Sequence, residues 1–288
     1  MINIPGDILE GGGQILRISV ALSAITNKPV RITNIRVKRS SPGLKAQHLN
    51  AVKAVAMLSN AQVDGLKIGS KEIVFNPRQI KGGSFNIEVG TAGSTSLILQ
   101  ALMPVTSFST DNVCLTIRGG TNNPKAPPTE YIQEVVLPTI KKMGVKGSVT
   151  LARRGFYPKG DGRIESEFEP SSQICPIQLT EFGEVIDIFG LSYSSRLKSH
   201  IVERIASSAK NTLIKNGYEK IRIDLEPLEP RHYKCAIDPG CGIVLFAKLS
   251  SGSILGSNNL GEIGKPAEKV GKEAATELIK ELNKKAPI

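Results

Sequence analysis

The sequence predicts an α+β protein in which an α/β module is repeated and a small α/β domain is inserted late in the chain. Three observations predict it. The order glycine-rich loop, buried helix, strand, cationic loop, second helix and strands runs from Glu10 and returns from Gly90, at a spacing of roughly 80 residues and with weak identity. From about residue 181 the pattern changes to a compact β-α-β-β unit. And 288 residues, 40% of them apolar, are enough to bury more than one core.

Each element follows from its local pattern. Glu10–Gln14 (EGGGQ) leads into a helix in which Ile18, Leu22 and Ile25 recur at helical spacing. Val30 to Lys38 alternates apolar and polar residues and predicts a strand. Leu44 to Leu58 predicts the second helix, and short strands follow near Gln62–Lys67 and Glu72–Phe75. In the second passage Ser84–Val89 is a strand, Gly90–Ser96 a glycine-rich loop, Leu97–Val105 an apolar helix and Val113–Ile117 a strand. A helix from Glu130 to Met143 is closed by Gly144 and should kink at Pro138. Beyond Gly162 the expected elements are a strand at Val185–Leu191, a helix at Ser199–Asn216, and strands at Lys220–Leu225 and Cys241–Leu249. Val270, Ala274, Leu278 and Leu282 form one apolar stripe on a last helix, Lys265 to Lys284. The expected organisation is therefore two core modules over 1–180, an inserted domain over 181–258, and the start of a third, incomplete repeat over 259–288.

Charge narrows the function classes. Lys and Arg number 37 against 26 Asp and Glu, a net charge of +11 that favours polyanions. Arg31, Arg36, Lys38, Arg39 and Lys45 cluster around Ser40-Ser41-Pro42-Gly43 with no acid among them, a composition suited to phosphate oxygens. With no Trp, five Tyr and eight Phe, a large base-stacking platform is not expected; nucleic acid would be held by its backbone or one end. No apolar run approaches the ~20 residues that cross a membrane, and no secretory signal is visible. The four cysteines include no CxxC pair and read as reduced, cytoplasmic residues.

The motifs point the same way. Glu10–Gln14 and Thr91–Ser96 each offer backbone N–H groups at a helix start, where an anion can sit. Neither matches GxxxxGK[ST] or GxGxxG, which disfavours P-loop and Rossmann enzymes. His48 lies one turn from the cationic loop and suits either a phosphate contact or a hydrogen bond to backbone at the core edge. The loop from Arg118 to Pro128 (RGGTNNPKAPP) spends about a dozen residues where a turn needs two to five, so it is a built surface. No HExxH, Cys/His cluster, carboxylate pair or GxSxG elbow is present.

Taken together these segments resemble the RNA 3′-terminal phosphate cyclase family. The residues that carry the resemblance are Glu10 to Arg17, Ile35-Arg36 to His48, Gly90 to Gln100, Gly119 to Pro124 with Pro127-Pro128, and Arg154 to Gly160. The resemblance is dense over the first 165 residues and loose after them. It implies modules that each pack a four-stranded sheet on two helices. It also implies ligase-class RNA processing: a histidine takes AMP from ATP, AMP passes to an RNA 3′-phosphate, and the 2′-hydroxyl displaces it to leave a 2′,3′-cyclic phosphate, assisted by Mg²⁺ or Mn²⁺. By position, Glu10, Arg17, Arg36, Arg39, Gln47, His48 and Gln100 would line the nucleotide and phosphate site, with Glu10 also on the metal side. The implied partner is RNA with a 3′-phosphate end.

One departure stands out. The family's nucleophilic histidine falls beyond Ile288, so the catalytic residue is not among these positions, and none of His48, His200 and His232 occupies its place. The expectation is a truncated ATP-dependent cyclase; the alternative is a catalytically inactive RNA-processing or ribosome-assembly protein on the same fold.

Overall fold

The computed structural model describes residues 1–171 and 173–287. The chain begins with β1 (Ile2–Pro5), α1 (Gly13–Thr26), β2 (Val30–Thr33), α2 (Ala46–Leu58), β3 (Gln62–Asp64) and β4 (Ile73–Asn76). They make a four-stranded sheet in the order β1-β2-β4-β3, with β1 and β2 parallel and the other pairs antiparallel. The second module repeats this wiring: β5 (Gly83–Glu88), α3 (Thr95–Thr106), β6 (Val113–Gly119), a helical stretch, β7 (Gly147–Arg153) and β8 (Gly162–Phe168) in the order β5-β6-β8-β7. The internal repeat is thus one of topology. Both modules share a single core, in which Val20, Val52 and Leu58 join Leu99, Leu102 and Ile117.

The helical stretch of the second module is α4 (Thr129–Tyr131), a π-helical segment Ile132–Val136, and α5 (Leu137–Lys141). Pro138 lacks the N–H that would bond back one turn. The wider π turn just before it takes up the misfit, so the expected kink appears as a change of helix pitch. The strand expected over Val30–Lys38 stops at Thr33, because Asn34 (φ 52°) and Arg36 (φ 55°) take left-handed conformations that no strand continues.

The third unit comprises β9 (Val185–Ser195), α6 (His200–Lys215), β10 (Ile221–Leu228), β11 (Gly240–Leu249), β12 (Ile254–Leu260) and α7 (Ala267–Asn283). Its sheet order is β10-β9-β11-β12, so its first strand lies inside the sheet where each earlier module puts its first strand at the edge. Helix α7, assigned from sequence to a further module beginning at 259, packs here on α6, β11 and β12. Its stripe Val270, Ala274, Leu278 and Leu282 is buried with Ile188, Ile205, Leu213 and Leu245 in one separate core.

A charged junction joins this unit to the second module. Arg154 is completely buried; its guanidinium meets Glu130 of α4 and Glu226 of β10 at 2.6 Å each and lies 3.9 Å from the centre of the Tyr193 ring. Thr121 N–H donates to the Gly155 carbonyl and Gly155 N–H to Thr121 Oγ1, which holds the Gly119–Pro124 loop against the same strand end.

Candidate nucleotide and phosphate site

The motif loops meet end to end. Gly120 N–H donates to the Gly93 carbonyl (2.8 Å) and Thr95 N–H to the Gly120 carbonyl (2.9 Å), so the Gly119–Pro124 loop lies on the glycine-rich loop before α3. That loop is tied in turn to α2, where Gln47 Oε1 accepts from Ser94 N–H (3.3 Å) and Asn50 donates to the Val89 carbonyl. One residue on, His48 faces α1: a Cβ added at Gly13 would fall 2.2 Å from His48 Nε2 and 3.2 Å from Arg17 Nη1. Gly13, Arg17 and His48 therefore share one corner.

The two glycine-rich loops differ in what they can offer. In the second, Ser94 caps α3 by accepting from Leu97 N–H, Gly93 N–H bonds Thr91 Oγ1, and Ser94 and Thr95 N–H are used as above. Of the N–H groups expected to cradle an anion at Thr91–Ser96, those of Gly93, Ser94 and Thr95 are already used in internal bonds. By contrast α1 starts from Gly12, and α2 from Lys45, without a side-chain cap and with no acid in the first turn. Both starts retain the positive end of the helix dipole and free N–H groups.

Cations surround these two starts. The turns at Asn34 and Arg36 fold the cationic loop back, so Arg36 Nη1 donates to the carbonyls of Ser41 (2.9 Å) and Gly43 (2.8 Å). Lys45 Nζ bonds Ser41 Oγ. Arg39 pairs with Glu10 at 3.1 Å on the surface. Arg17 is buried, and its Nε has no hydrogen-bond partner among the described residues; burial holds its pKa below the usual arginine value. His48 Nδ1 is likewise buried and unpartnered. Burial, followed by the charges of Arg36, Arg17 and Lys45, pushes the His48 pKa down to about 4.

Six of the seven predicted residues are thus brought together: Glu10, Arg17, Arg36, Arg39, Gln47 and His48. Gln100 is exposed on α3, outside this hydrogen-bonded set. Buried unpaired polar atoms on a cation and on a neutral imidazole are costly unless something completes them, and an oxyanion between α1 and α2 would do so. Fit to a divalent cation is weaker, since Glu10 is a single carboxylate already paired, and no group of three or more His, Cys, Asp or Glu gathers among the described residues. Sequence reasoning missed the roles of Gly13, whose lack of a side chain admits the His48 ring, and of Arg154, whose partners lie 24 and 72 residues away. Among the described residues no helix is long and apolar enough to cross a membrane.

Comparison with known proteins agrees with the geometry. A family model described as RNA 3′-terminal phosphate cyclase matches residues 8–278. A protein named RNA 3′-terminal phosphate cyclase from Ignicoccus hospitalis is 47% identical over 283 residues, covering 98% of this chain and 80% of that protein. Proteins of the same name from Caldivirga maquilingensis (47% over 284 residues, 98% and 80%) and Pyrococcus furiosus (42% over 287 residues, 99% and 81%) are similar to it in the same way.

Proposed function

The chain belongs to the RNA 3′-terminal phosphate cyclase family, and from that premise we propose that it carries out the ATP-dependent conversion of an RNA 3′-terminal phosphate to a 2′,3′-cyclic phosphate, through AMP–enzyme and RNA–adenylate intermediates. The observation that carries this reading is the convergence of two uncapped helix starts with Arg17, Arg36, Arg39 and a neutral His48. Bound ATP supplies the activated phosphorus. Arg17 and Arg39 take phosphate oxygens by charge-assisted bonds, and the N–H groups opening α1 add a second, uncharged set of donors. Arg36, held by two carbonyls, keeps the loop folded and contributes field. Gln47 fixes the second module's loop beside the site, and Gln100 would reach the nucleotide from α3. Mg²⁺ or Mn²⁺ would be held mainly by phosphate oxygens, with Glu10 adding at most one ligand after release from Arg39. The partner is RNA with a 3′-phosphate end, met in the cytoplasm.

A second reading is a binding protein of the same fold that handles RNA ends without adenylylation. That reading needs only the pocket of Arg17, Arg36, Arg39 and His48 as a phosphate cradle, with no covalent step on the protein. One experiment separates the readings. The chain is incubated with ATP labelled at the α-phosphate, Mg²⁺ or Mn²⁺, and a 3′-phosphorylated oligoribonucleotide. Conversion of the RNA end to a phosphatase-resistant form, lost in Arg39→Ala, supports the cyclase. ATP binding with neither labelled chain nor converted RNA supports the binding protein. Absence of ATP binding refutes the cyclase, and absence of RNA binding as well refutes both uses of the pocket.

A further inference from the structure

The third sheet has two faces of different character. Helices α6 and α7 cover one, which receives Ile188 from β9 and Ile243, Leu245 and Ala247 from β11. Strand alternation sends Phe189 and Phe246 to the other face. These two are direct cross-strand partners, and their rings lie near-parallel (18°) with centroids 5.9 Å apart. Both are half-exposed, and neither belongs to any of the three hydrophobic cores.

Charges of both signs flank the rings, with Asp187 the cross-strand partner of Lys248 and Asp224 beside Arg222. Lys248 Nζ lies 4.7 Å from the centre of the Phe189 ring, and this exposed ammonium has no ion-pair partner among the described residues. Arg222, the register partner of Phe189 on β10, is exposed and paired with Asp224 at 3.0 Å. On the β12 side the face is closed by the preceding module, since Gly256, the partner of Phe246, stands against Tyr131 and Val135. Lys142, which caps the C-terminal end of α5, reaches the Gly252 carbonyl in the turn between β11 and β12 and adds another cation at that rim.

We propose that this walled sheet face, built on Phe189 and Phe246 with Lys248, binds the unpaired bases of the RNA strand upstream of its 3′ end. A base offers a π-face to an aromatic ring whatever its identity, and lysine and arginine beside the rings meet the phosphates between bases. Two rings are far too small an apolar area for a specific protein partner, which needs roughly 800 Å² a side. The platform is small, which agrees with the aromatic-poor composition, and it would add length-dependent affinity to a site that takes only the terminal phosphate. The inference rests on the reading that RNA is the substrate.

The test is fluorescence anisotropy with labelled 3′-phosphorylated RNA, comparing a dinucleotide with a single strand of about ten nucleotides. Phe189→Leu and Phe246→Leu keep the apolar bulk and remove the π-face, so the fold should survive; melting curves check this. The expected result is that the double variant binds the longer RNA at least about tenfold more weakly, the loss of one or two stacked bases, with dinucleotide affinity unchanged. Lys248→Gln should lower the salt slope for the longer RNA by roughly one unit. If both phenylalanine variants hold the longer RNA as tightly as the parent, the platform is refuted and the cyclase reading stands. If the parent binds neither RNA, the substrate reading falls as well. If the variants change the sedimentation of the protein but not RNA affinity, the face is a protein contact and the proposal is overturned.

Discussion

Replacing Gly13 by alanine should disable the candidate site while leaving the fold intact. The added Cβ would fall 2.2 Å from Nε2 and 2.4 Å from Cδ2 of His48. To restore an ordinary contact of about 3.5 Å, the imidazole must retreat by roughly 1.3 Å. Gly13 is not among the residues with positive φ, so alanine meets no backbone strain there. Alanine also favours a helix over glycine by up to about 1 kcal/mol. Pushing the ring off its rotamer costs about 0.5–1.5 kcal/mol, similar in size and opposite in sign. The melting temperature should therefore stay within about 3 °C of the parent. Function is less forgiving: a displacement of about 1 Å at a positioning group can lower turnover on the order of a hundredfold. Calorimetric titration with ATP, run beside differential scanning calorimetry and the RNA end-conversion assay, reads all three quantities. Unchanged ATP affinity and turnover would refute the assignment of the Gly13, Arg17 and His48 corner to phosphate. A melting temperature lowered by tens of degrees would show that the ring cannot move and that the corner belongs to the core.

Three further outcomes are expected. The folded His48 pKa of about 4 lies below the 6.5 of an unfolded histidine, so above pH 6.5 the residue is neutral in both states and leaves stability untouched. As pH falls from 6.5 through 4, the unfolded chain takes up a proton that the folded chain refuses. Stability then drops by at most about 3 kcal/mol, and urea titrations of His48→Gln should lose that part of the slope. Removing the guanidinium in Arg154→Met leaves Glu130 and Glu226 facing each other without a cation and should cost about 3–5 kcal/mol in chemical unfolding; adding Glu130→Gln and Glu226→Gln should recover much of it, and no recovery would argue that packing on Tyr193 dominates. Glu10→Gln should leave the melting temperature unchanged because its pair with Arg39 is exposed, whereas Arg39→Ala should abolish ATP binding. A clear loss of stability in Glu10→Gln would make that pair structural.

The periodic elements were legible because their burial follows local pattern. Val52, Val55 and Leu58 in α2 lie inside as their spacing requires. In α1 the expected stripe fails: Ile18 and Leu22 are exposed and Leu16, Val20 and Ala24 are buried instead, because two apolar stripes share that helix and only packing chooses between them. Three cations of the candidate site, Arg36, Arg39 and Lys45, were legible because they sit within one short, acid-free segment, although Arg31 of the same segment pairs instead with Glu72. What the pattern could not carry was competition for the same donors. Thr91–Ser96 looks as open as Glu10–Gln14 until Gln47 and Gly120, 47 and 25 residues from their partners Ser94 and Thr95, take its N–H groups and carbonyls. The strand beyond Thr33 was misjudged for a different reason: Asn34 and Arg36 reverse the chain so that Arg36 can reach two carbonyls, a tertiary reward invisible to alternation. Strand β12 was missed because its sequence, Ile254–Leu260, alternates poorly and is paired along only one edge. The Phe189 and Phe246 pair needed the register of β9 against β11, which only the fold sets.

The shared core of the first two modules limits their independence. Helix α3 of the second module lies against both α1 and α2 of the first, so the seam between the copies is as apolar and as dry as the inside of either. A solitary copy would turn that seam toward water, and its readiest cover is another copy of itself. On this geometry, either module expressed alone should self-associate through the apolar face it now buries against the other.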